Sequence, residues 1–360
     1  MNALQQEIAV IIAEEGPISL ERYMSLCLSH PRLGYYTTHN PFGASGDFIT
    51  APEISQMFGE LLGVWMIEAW TAAGNPEASR LVELGPGRGT LMSDVLRVAR
   101  IAPNFLANMA VDLVETSPLL RDLQRQMLAG ETVPISWRAD FGEVPRAPVF
   151  VLANEFFDAL PARHFVKTAT GWRERLVGLD RAGALVFGLA PNPEPGLAVP
   201  APEGSVIEVN GIAQRLMAEI AERIVADGGV MLAVDYGYAQ TTLGESLQAV
   251  ARHGYVDPLQ TPGEADLTTH VDFAALKRAA MARGAKVQGP VGQGAFLKQL
   301  GIERRAEALM KKADAGQRED IASALARLAG SGDPRERMGD LFKAMAIMHP
   351  DTPDLPGFAE

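Results

Sequence analysis

A predicted strand, a glycine-rich turn and a predicted helix follow one another at residues 80–91, and this feature constrains the fold more than any other. The stretch reads RLVELGPGRGTL: a short apolar run that predicts a buried strand, then a turn, then a helical pattern that begins at Leu91. Such a turn visits positive φ, and a backbone without Cβ atoms lets a ligand approach closely. We therefore interpret this stretch as a cofactor-binding loop that contains three alternate glycines, Gly85, Gly87 and Gly89.

The residues around these glycines indicate which cofactor the loop holds. A nicotinamide or flavin dinucleotide would follow the pattern G-x-G-x-x-G/A, but the sixth position from Gly85 is Thr90. Glu83 precedes the first glycine, where a carboxylate would repel a pyrophosphate and attract a ligand that carries an ammonium and a sulfonium group. The prediction is therefore S-adenosylmethionine, with Glu83, the glycines and Thr90 as contacts. An NAD-dependent oxidoreductase is the disfavoured alternative.

Length and charge bound the architecture and the partners. The 360 residues exceed the roughly 250–300 at which a single core stops growing, so we expect one large domain with an appendage, or two domains. A net charge of −12 argues against a nucleic-acid partner, because binding phosphates needs a basic face. The acidity suits a basic partner instead.

The sequence also suggests a compartment. Cys27 is the only cysteine, which excludes an internal disulfide and fits a reducing compartment. The first fifteen residues contain glutamates and no basic residue, which is unlike a signal or transit peptide, and no long apolar run predicts membrane insertion. A cytoplasmic location is the expectation.

Strands and helices alternate after the glycine loop, as in a doubly wound α/β fold. The second strand ends in Glu115, whose carboxylate can take both ribose hydroxyls of a bound nucleoside. After the third strand, Asp140 and Phe141 could present a carboxylate and a ring to the adenine, although a surface turn explains them equally well. The predicted strands after the first are 111–115, 133–137, 148–153, 230–237, 286–288 and 341–348.

The end of the fourth strand holds the candidate catalytic residues. In this fold, ligands lie beyond the carboxyl ends of the strands where the winding reverses. The prediction is that Glu155 and Asp158 face the transferable methyl group and that Asn154 contacts the cofactor. The alternative is that Asp158 only caps a helix and that Glu155 is solvated. No metal site is predicted, since the histidines and acids of 253–270 show no ligand spacing that indicates one.

A loop rich in glycine, proline and aromatic residues spans 41–53, and we interpret it as a lid over the cofactor, with Asp47 and Phe48 as candidate contacts. A structural loop packed on the core is the alternative.

The chain as a whole divides into four predicted segments: N-terminal helices and lid at 1–75, a core at 76–243, a mostly helical substrate-recognition insertion at 244–335, and a last strand with a tail at 336–360.

Four motifs, at 41–56, 83–90, 154–161 and 263–273, resemble those of the MidA-like S-adenosylmethionine-dependent methyltransferases. That family comprises bacterial relatives of the mitochondrial protein-arginine methyltransferase needed for respiratory complex I assembly. The resemblance implies a class I methyltransferase fold, a Rossmann-like and mostly parallel seven-stranded sheet with additional helical or irregular substrate-binding segments. It further implies a protein substrate, symmetrically dimethylated on an arginine of a complex I subunit.

The chemistry of arginine agrees with that implication. A guanidinium stays protonated at cellular pH and is a poor nucleophile. Two carboxylates, Glu155 and Asp158, would orient one of its nitrogens toward the methyl group and draw positive charge away from that nitrogen. Two alternatives remain open at this point: an assembly protein that binds the cofactor but has lost catalysis, and a methyltransferase acting on a small molecule.

Overall fold

The computed structural model describes residues 1–39, 49–252, 254–333 and 337–359. Its helices are, in chain order, α1 (Ala3–Glu15), α2 (Leu20–Ser29), α3 (Tyr35–Thr38), α4 (Ala51–Ile54), α5 (Gln56–Ala72), α6 (Thr90–Ala99), α7 (Pro103–Ala107), α8 (Pro118–Met127), α9 (Gly211–Asp227), α10 (Phe273–Met281), α11 (Gln293–Gln299), α12 (Ile302–Met310) and α13 (Ala315–Ala329). None of the described helices combines the length and the apolar character needed to cross a membrane.

The strands alternate with these helices through most of the chain. They are β1 (Ile18–Ser19), β2 (Ser79–Leu84), β3 (Met109–Val114), β4 (Ile135–Arg138), β5 (Val149–Asn154), β6 (Arg163–Thr168), β7 (Gly171–Leu179), β8 (Leu185–Leu189), β9 (Val206–Val209), β10 (Gly229–Tyr238), β11 (Gln248–Ala251), β12 (Gly254–Tyr255), β13 (Asp266–Thr268), β14 (Val271–Asp272), β15 (Lys286–Gly292) and β16 (Phe342–Met348).

The described chain divides into two compact units, each built from separate stretches. Unit 1 comprises 1–39, 158–215, 241–252 and 254–270, and unit 2 comprises 49–157, 216–240, 271–333 and 337–359. The units cut across the four contiguous segments predicted from the sequence, because the chain leaves and re-enters the larger sheet more than once.

Unit 2 contains a large sheet with the strand order β15-β16-β10-β5-β2-β3-β4, and the short β14 pairs beside β10. The strands from β10 to β4 are parallel to their neighbours, whereas β16 runs antiparallel to both β10 and β15. The predicted mostly parallel, doubly wound α/β fold is confirmed. The chain winds outward from β2 in one direction and from β5 in the other, so the winding reverses between these two strands.

The central strands of this sheet are buried on both faces, which explains their nearly continuous apolar sequences. In β5 every residue from Val149 to Ala153 is at most 2% exposed. Helices α5 and α6 contribute to the same core through large side chains such as Trp65 and Leu96. Leu84 on β2 pairs with Ala153 on β5, so the segments that follow these two strands start side by side.

Unit 1 is built from two smaller antiparallel sheets and the N-terminal helices. One sheet has the order β1-β7-β6-β9 with β8 paired to β7. The other has the order β12-β11-β13. This second sheet lies in the first part of 244–335, a segment that the sequence predicts to be mostly helical, and the helices of that segment begin at Phe273. Strands of two to four residues are too short for an alternating pattern to be read from the sequence.

Candidate active site

The glycine loop connects β2 to α6 in the tight turn that the sequence predicts. Its three alternate glycines all adopt left-handed backbone angles, with φ of 59° at Gly85, 52° at Gly87 and 86° at Gly89. A Cβ atom at Gly85 would lie 2.8 Å from the ring of Phe156, so that position has no room for a side chain. The loop therefore presents bare backbone at the carboxyl end of β2.

A cavity that is open to solvent lies against this loop. It is formed by the ends of β2 and β5, the start of α6 and the chain around α4. The lining residues are Thr50, Pro52, Glu53, Glu83, Gly85, Pro86, Gly87, Arg88, Thr90, Leu91, Asn154 and Glu155. Four of the predicted cofactor residues (Glu83, Gly85, Gly87 and Thr90) and Asn154 are thus brought together with the predicted catalytic Glu155.

Glu83 is a carboxyl group buried at the wall of this cavity. It is 3% exposed, and the backbone N–H of Met92 hydrogen-bonds to it. Its Oε2 has no hydrogen-bond partner among the described residues. Burial raises the pKa of Glu83 to about 8, because a charged carboxylate without a cation is unfavourable there. A cationic ligand would reverse that preference.

Asn154 supplies a second free acceptor at the same cavity. Its Oδ1 is buried and has no hydrogen-bond partner in the described part of the chain, while its Nδ2 lies 3.3 Å from Oε1 of Glu155. Both unsatisfied groups, Glu83 Oε2 and Asn154 Oδ1, are acceptors. A ligand that brings hydrogen-bond donors or positive charge would satisfy them, and this fits the ammonium and sulfonium groups of S-adenosylmethionine.

Glu155 follows β5 directly and is held in an unusual backbone conformation. Its φ of 49° is left-handed, which is uncommon for a residue with a side chain and typical of functional sites. Its backbone N–H donates to the carbonyl of Val234, and its carboxylate accepts from the backbone N–H of Ala51 at 2.9 Å. The hydrogen bond from Ala51 therefore holds the carboxylate at the cavity wall, and the hydrogen bond to Val234 holds the backbone.

Glu53 and Arg88, which the sequence analysis did not single out, also line the cavity. The hydroxyl of Thr90 donates to Glu53 at 2.5 Å, and Nη1 of Arg88 lies 3.5 Å from the other oxygen of Glu53. Both residues lie inside motifs already noted, which was the only available signal. The lining includes three carboxyl groups and one guanidinium, so Arg88 is the group suited to the carboxylate of an amino-acid ligand and Glu53 to its ammonium.

Glu115, the predicted ribose acid, lies immediately after β3 and is 8% exposed. Its carboxylate accepts from the backbone N–H of Ser117 at 2.8 Å, and burial raises the pKa of Glu115. The side chain of Gln124 reaches both this carboxylate and the carbonyl of Gly87. Gln124 therefore bridges Glu115 and the glycine loop. This proximity is compatible with a nucleoside site.

The structure assigns structural contacts to the two predicted adenine residues. Oδ1 of Asp140 accepts from the backbone N–H of Gly142 and caps a short 3-10 turn. The ring of Phe141 is 2% exposed and packs under the guanidinium of Arg223 at 5.3 Å. Their contact with adenine stays a prediction, and the surface-turn alternative describes Asp140 well.

Asp158 is not among the residues that line this cavity. Asp158 belongs to unit 1, where it is 6% exposed and its carbonyl accepts from the backbone N–H of Thr269. Its joint action with Glu155, which belongs to unit 2, stays a prediction. Asp47 and Phe48 lie outside the described residues. No cluster of three or more metal-ligating side chains occurs in the described ranges.

Comparison with known proteins identifies the family. Residues 61–291 match the family model described as "Putative S-adenosyl-L-methionine-dependent methyltransferase". The chain is 39% identical to the mitochondrial protein arginine methyltransferase NDUFAF7 of Rattus norvegicus, covering 94% of this chain and 82% of that protein. The human protein of the same name is 38% identical, over 94% of this chain and 81% of its own length. The chain belongs to this methyltransferase family.

A solved structure supports the same assignment. The crystal structure of a protein from Burkholderia thailandensis, bound to S-adenosyl-homocysteine, is similar to this structure with a TM-score of 0.85. The two chains are 28% identical, and the match covers 99% of this chain and 94% of the other. This protein is an S-adenosylmethionine-dependent methyltransferase, and S-adenosylmethionine is its cofactor. The residues whose chemistry fits it are the glycine loop, Glu83, Asn154 and the Glu53–Arg88 pair, and the ribose contact of Glu115 stays a prediction.

Proposed function

We propose that this methyltransferase modifies an arginine side chain of a protein. The observation that carries the proposal is Glu155, a carboxylate fixed at the wall of the cofactor cavity where the winding of the sheet reverses. The relatives from rat and human, which match over nearly the whole chain, are named protein arginine methyltransferases. A net charge of −12 also suits a cationic substrate.

Glu155 has the chemistry to bind and activate a guanidinium. When bound, the cofactor would supply an electrophilic methyl group on a positively charged sulfur, whose bond to that methyl group breaks to leave a neutral thioether. A carboxylate opposite the guanidinium forms charge-assisted hydrogen bonds and orients one nitrogen for in-line attack. It also draws positive charge toward the other nitrogens, which makes the attacking nitrogen more nucleophilic. As the new N–C bond forms, that nitrogen loses its proton, and Glu155 is the group proposed to receive it.

The finer parts of the proposal follow from the family resemblance. They are the role of Asp158 as the second carboxylate, symmetric dimethylation as the product, and a subunit of respiratory complex I as the target. The predicted cytoplasmic location stays a prediction as well. A cofactor-binding assembly factor without catalytic activity is the alternative, and the retained Glu155 in its strained conformation favours the enzyme.

Transfer of labelled methyl groups tests the proposal directly. The protein is incubated with S-adenosylmethionine labelled in the methyl group and with a proteome from cells that lack this protein, and the proteins are then hydrolysed to amino acids. We expect label in methylated arginine, and symmetric dimethylarginine if the finer proposal is right. Label in another amino acid or only in small molecules would exclude the arginine substrate, and no label at all would favour the assembly factor.

A further inference from the structure

Gln124 is a buried polar residue on a helix whose other polar groups reach solvent. It lies on α8 and is 0% exposed, whereas Asp122 and Arg125 of the same helix form an exposed ion pair. A buried amide that made no hydrogen bonds would destabilise the fold. Its side chain instead makes contacts with three groups, and two of them belong to the cofactor site.

Nε2 of Gln124 donates to the carbonyl of Gly87 at 2.7 Å and lies 3.4 Å from Oε2 of Glu115. Oε1 of Gln124 accepts from the indole N–H of Trp137 at 2.9 Å. An indole nitrogen can only donate, so Trp137 fixes which end of the amide faces it. The donating end must then face Gly87 and Glu115, both of which present acceptors.

We propose that Gln124 is a positioning residue of the cofactor site, which holds the carbonyl of Gly87 and the carboxylate of Glu115 in a fixed relation. The part of this proposal that concerns the nucleoside rests on the predicted ribose-binding role of Glu115. A single planar amide group thereby fixes the positions of both the Gly87 carbonyl and the Glu115 carboxylate. The backbone of Gln124 also lies close to the loop, since a Cβ atom added at Gly89 would lie 3.5 Å from its Cα.

The chemistry of the site requires a glutamine at this position. A glutamate of the same shape would accept from Trp137 but would bring a second oxygen against the Gly87 carbonyl and the Glu115 carboxylate. A methionine would fill the space and make none of the three contacts. Both substitutions should therefore release the glycine loop from Glu115, the glutamate by repulsion and the methionine by loss of contacts.

The test compares Gln124→Glu and Gln124→Met with the unmodified full-length protein. The affinity for S-adenosylhomocysteine is measured by calorimetry, and the midpoint of thermal unfolding is measured without ligand. We expect the Kd to rise at least about tenfold in both variants, which corresponds to 1.4 kcal/mol or more. Lowering the pH should bring the Kd of Gln124→Glu, but not that of Gln124→Met, closer to the Kd of the unmodified protein. The reason is that a protonated glutamate can donate a hydrogen bond again.

A matched control separates positioning from general stability. Gln293 is also 0% exposed, and its Nε2 also donates to a backbone carbonyl, that of Leu328, but it does not line the cavity. Gln293→Met should lower the unfolding midpoint and leave the Kd unchanged. If the two Gln124 variants lower the midpoint but bind with the Kd of the unmodified protein, the role of Gln124 is only structural and the proposal is wrong. If neither variant folds, Trp137→Phe decides, with a Kd raised several-fold expected and an unchanged Kd contradicting the proposal.

Discussion

The carboxylate of Glu155 accepts a hydrogen bond from the backbone N–H of Ala51 at 2.9 Å, across 104 positions of the chain. Ala51 begins α4, and the residues around it line the same cavity as the glycine loop. The hydrogen bond fixes the direction of the carboxylate before any substrate arrives. A group held in this way loses little entropy when it binds a guanidinium.

Glu155→Gln should therefore remove activity and preserve the site. The amide oxygen of glutamine can still accept from Ala51, but a neutral amide neither balances the charge of a guanidinium nor takes a proton. We expect methyl transfer to fall at least about 100-fold, with the Kd for S-adenosylhomocysteine changed less than about threefold. Single-turnover transfer and calorimetry measure the two quantities. Glu68→Gln, at an exposed position of α5, is the control, and normal turnover in Glu155→Gln would remove Glu155 from the mechanism.

Gly87→Val should block the cofactor. Gly87 has φ of 52° and lines the cavity, so a valine there would be strained by about 1–2 kcal/mol and would place its methyl groups against the ligand. We expect binding of S-adenosylhomocysteine to become undetectable by calorimetry. Gly130→Val provides the comparison, because a Cβ at Gly130 meets nothing within 4 Å, and that variant should bind normally. Unchanged affinity in Gly87→Val would contradict the placement of the cofactor.

The buried carboxyl of Glu83 should couple cofactor binding to pH. Its pKa of about 8 means that it is mostly protonated at pH 7 in the free protein. The positive charges of S-adenosylmethionine favour the carboxylate, so binding should release up to about one proton. The association constant should then rise by up to about tenfold per pH unit below pH 8 and level off above it. Calorimetry in buffers of different ionisation enthalpy counts the protons.

The same residue affects the stability of the free protein in the opposite direction. Unfolding exposes Glu83 and returns its pKa to the ordinary value of 4.5, so the unfolded chain ionises first as the pH rises. Between about pH 4.5 and 8 this group should therefore lower the free energy of unfolding progressively. Glu83→Gln should flatten both pH profiles. Retention of the proton release in that variant would show that another group titrates.

The sequence predicted most of the fold because its strongest patterns are local. The apolar strands β2, β5 and β10 and the glycine loop are each readable within about ten residues. The contacts of Glu155 with Ala51 and of Gln124 with Gly87 join residues that are distant in the chain, so no local sequence pattern predicts them. The β11–β13 sheet was missed because its strands are too short to show a period.

A charged residue inside an otherwise apolar strand is another feature whose partners only the structure reveals. Asp112 on β3 is 0% exposed, and its two oxygens accept from Nε of Arg80 at 2.6 Å and Nε of Arg138 at 2.8 Å. The three residues lie on adjacent strands of the parallel sheet, β2, β3 and β4. Both guanidinium groups are partly exposed, so water can solvate them if the carboxylate is removed.

Asp112→Leu should therefore destabilise unit 2 by about 3 kcal/mol, the lower end of the range for breaking a buried ion pair. The measurement is the free energy of unfolding in urea, followed by tryptophan fluorescence. Glu131→Leu removes the carboxylate that pairs with the largely exposed Arg100 and should cost less than about 1 kcal/mol. Equal effects of the two substitutions would mean that the Asp112 pairs contribute no more than a surface ion pair does.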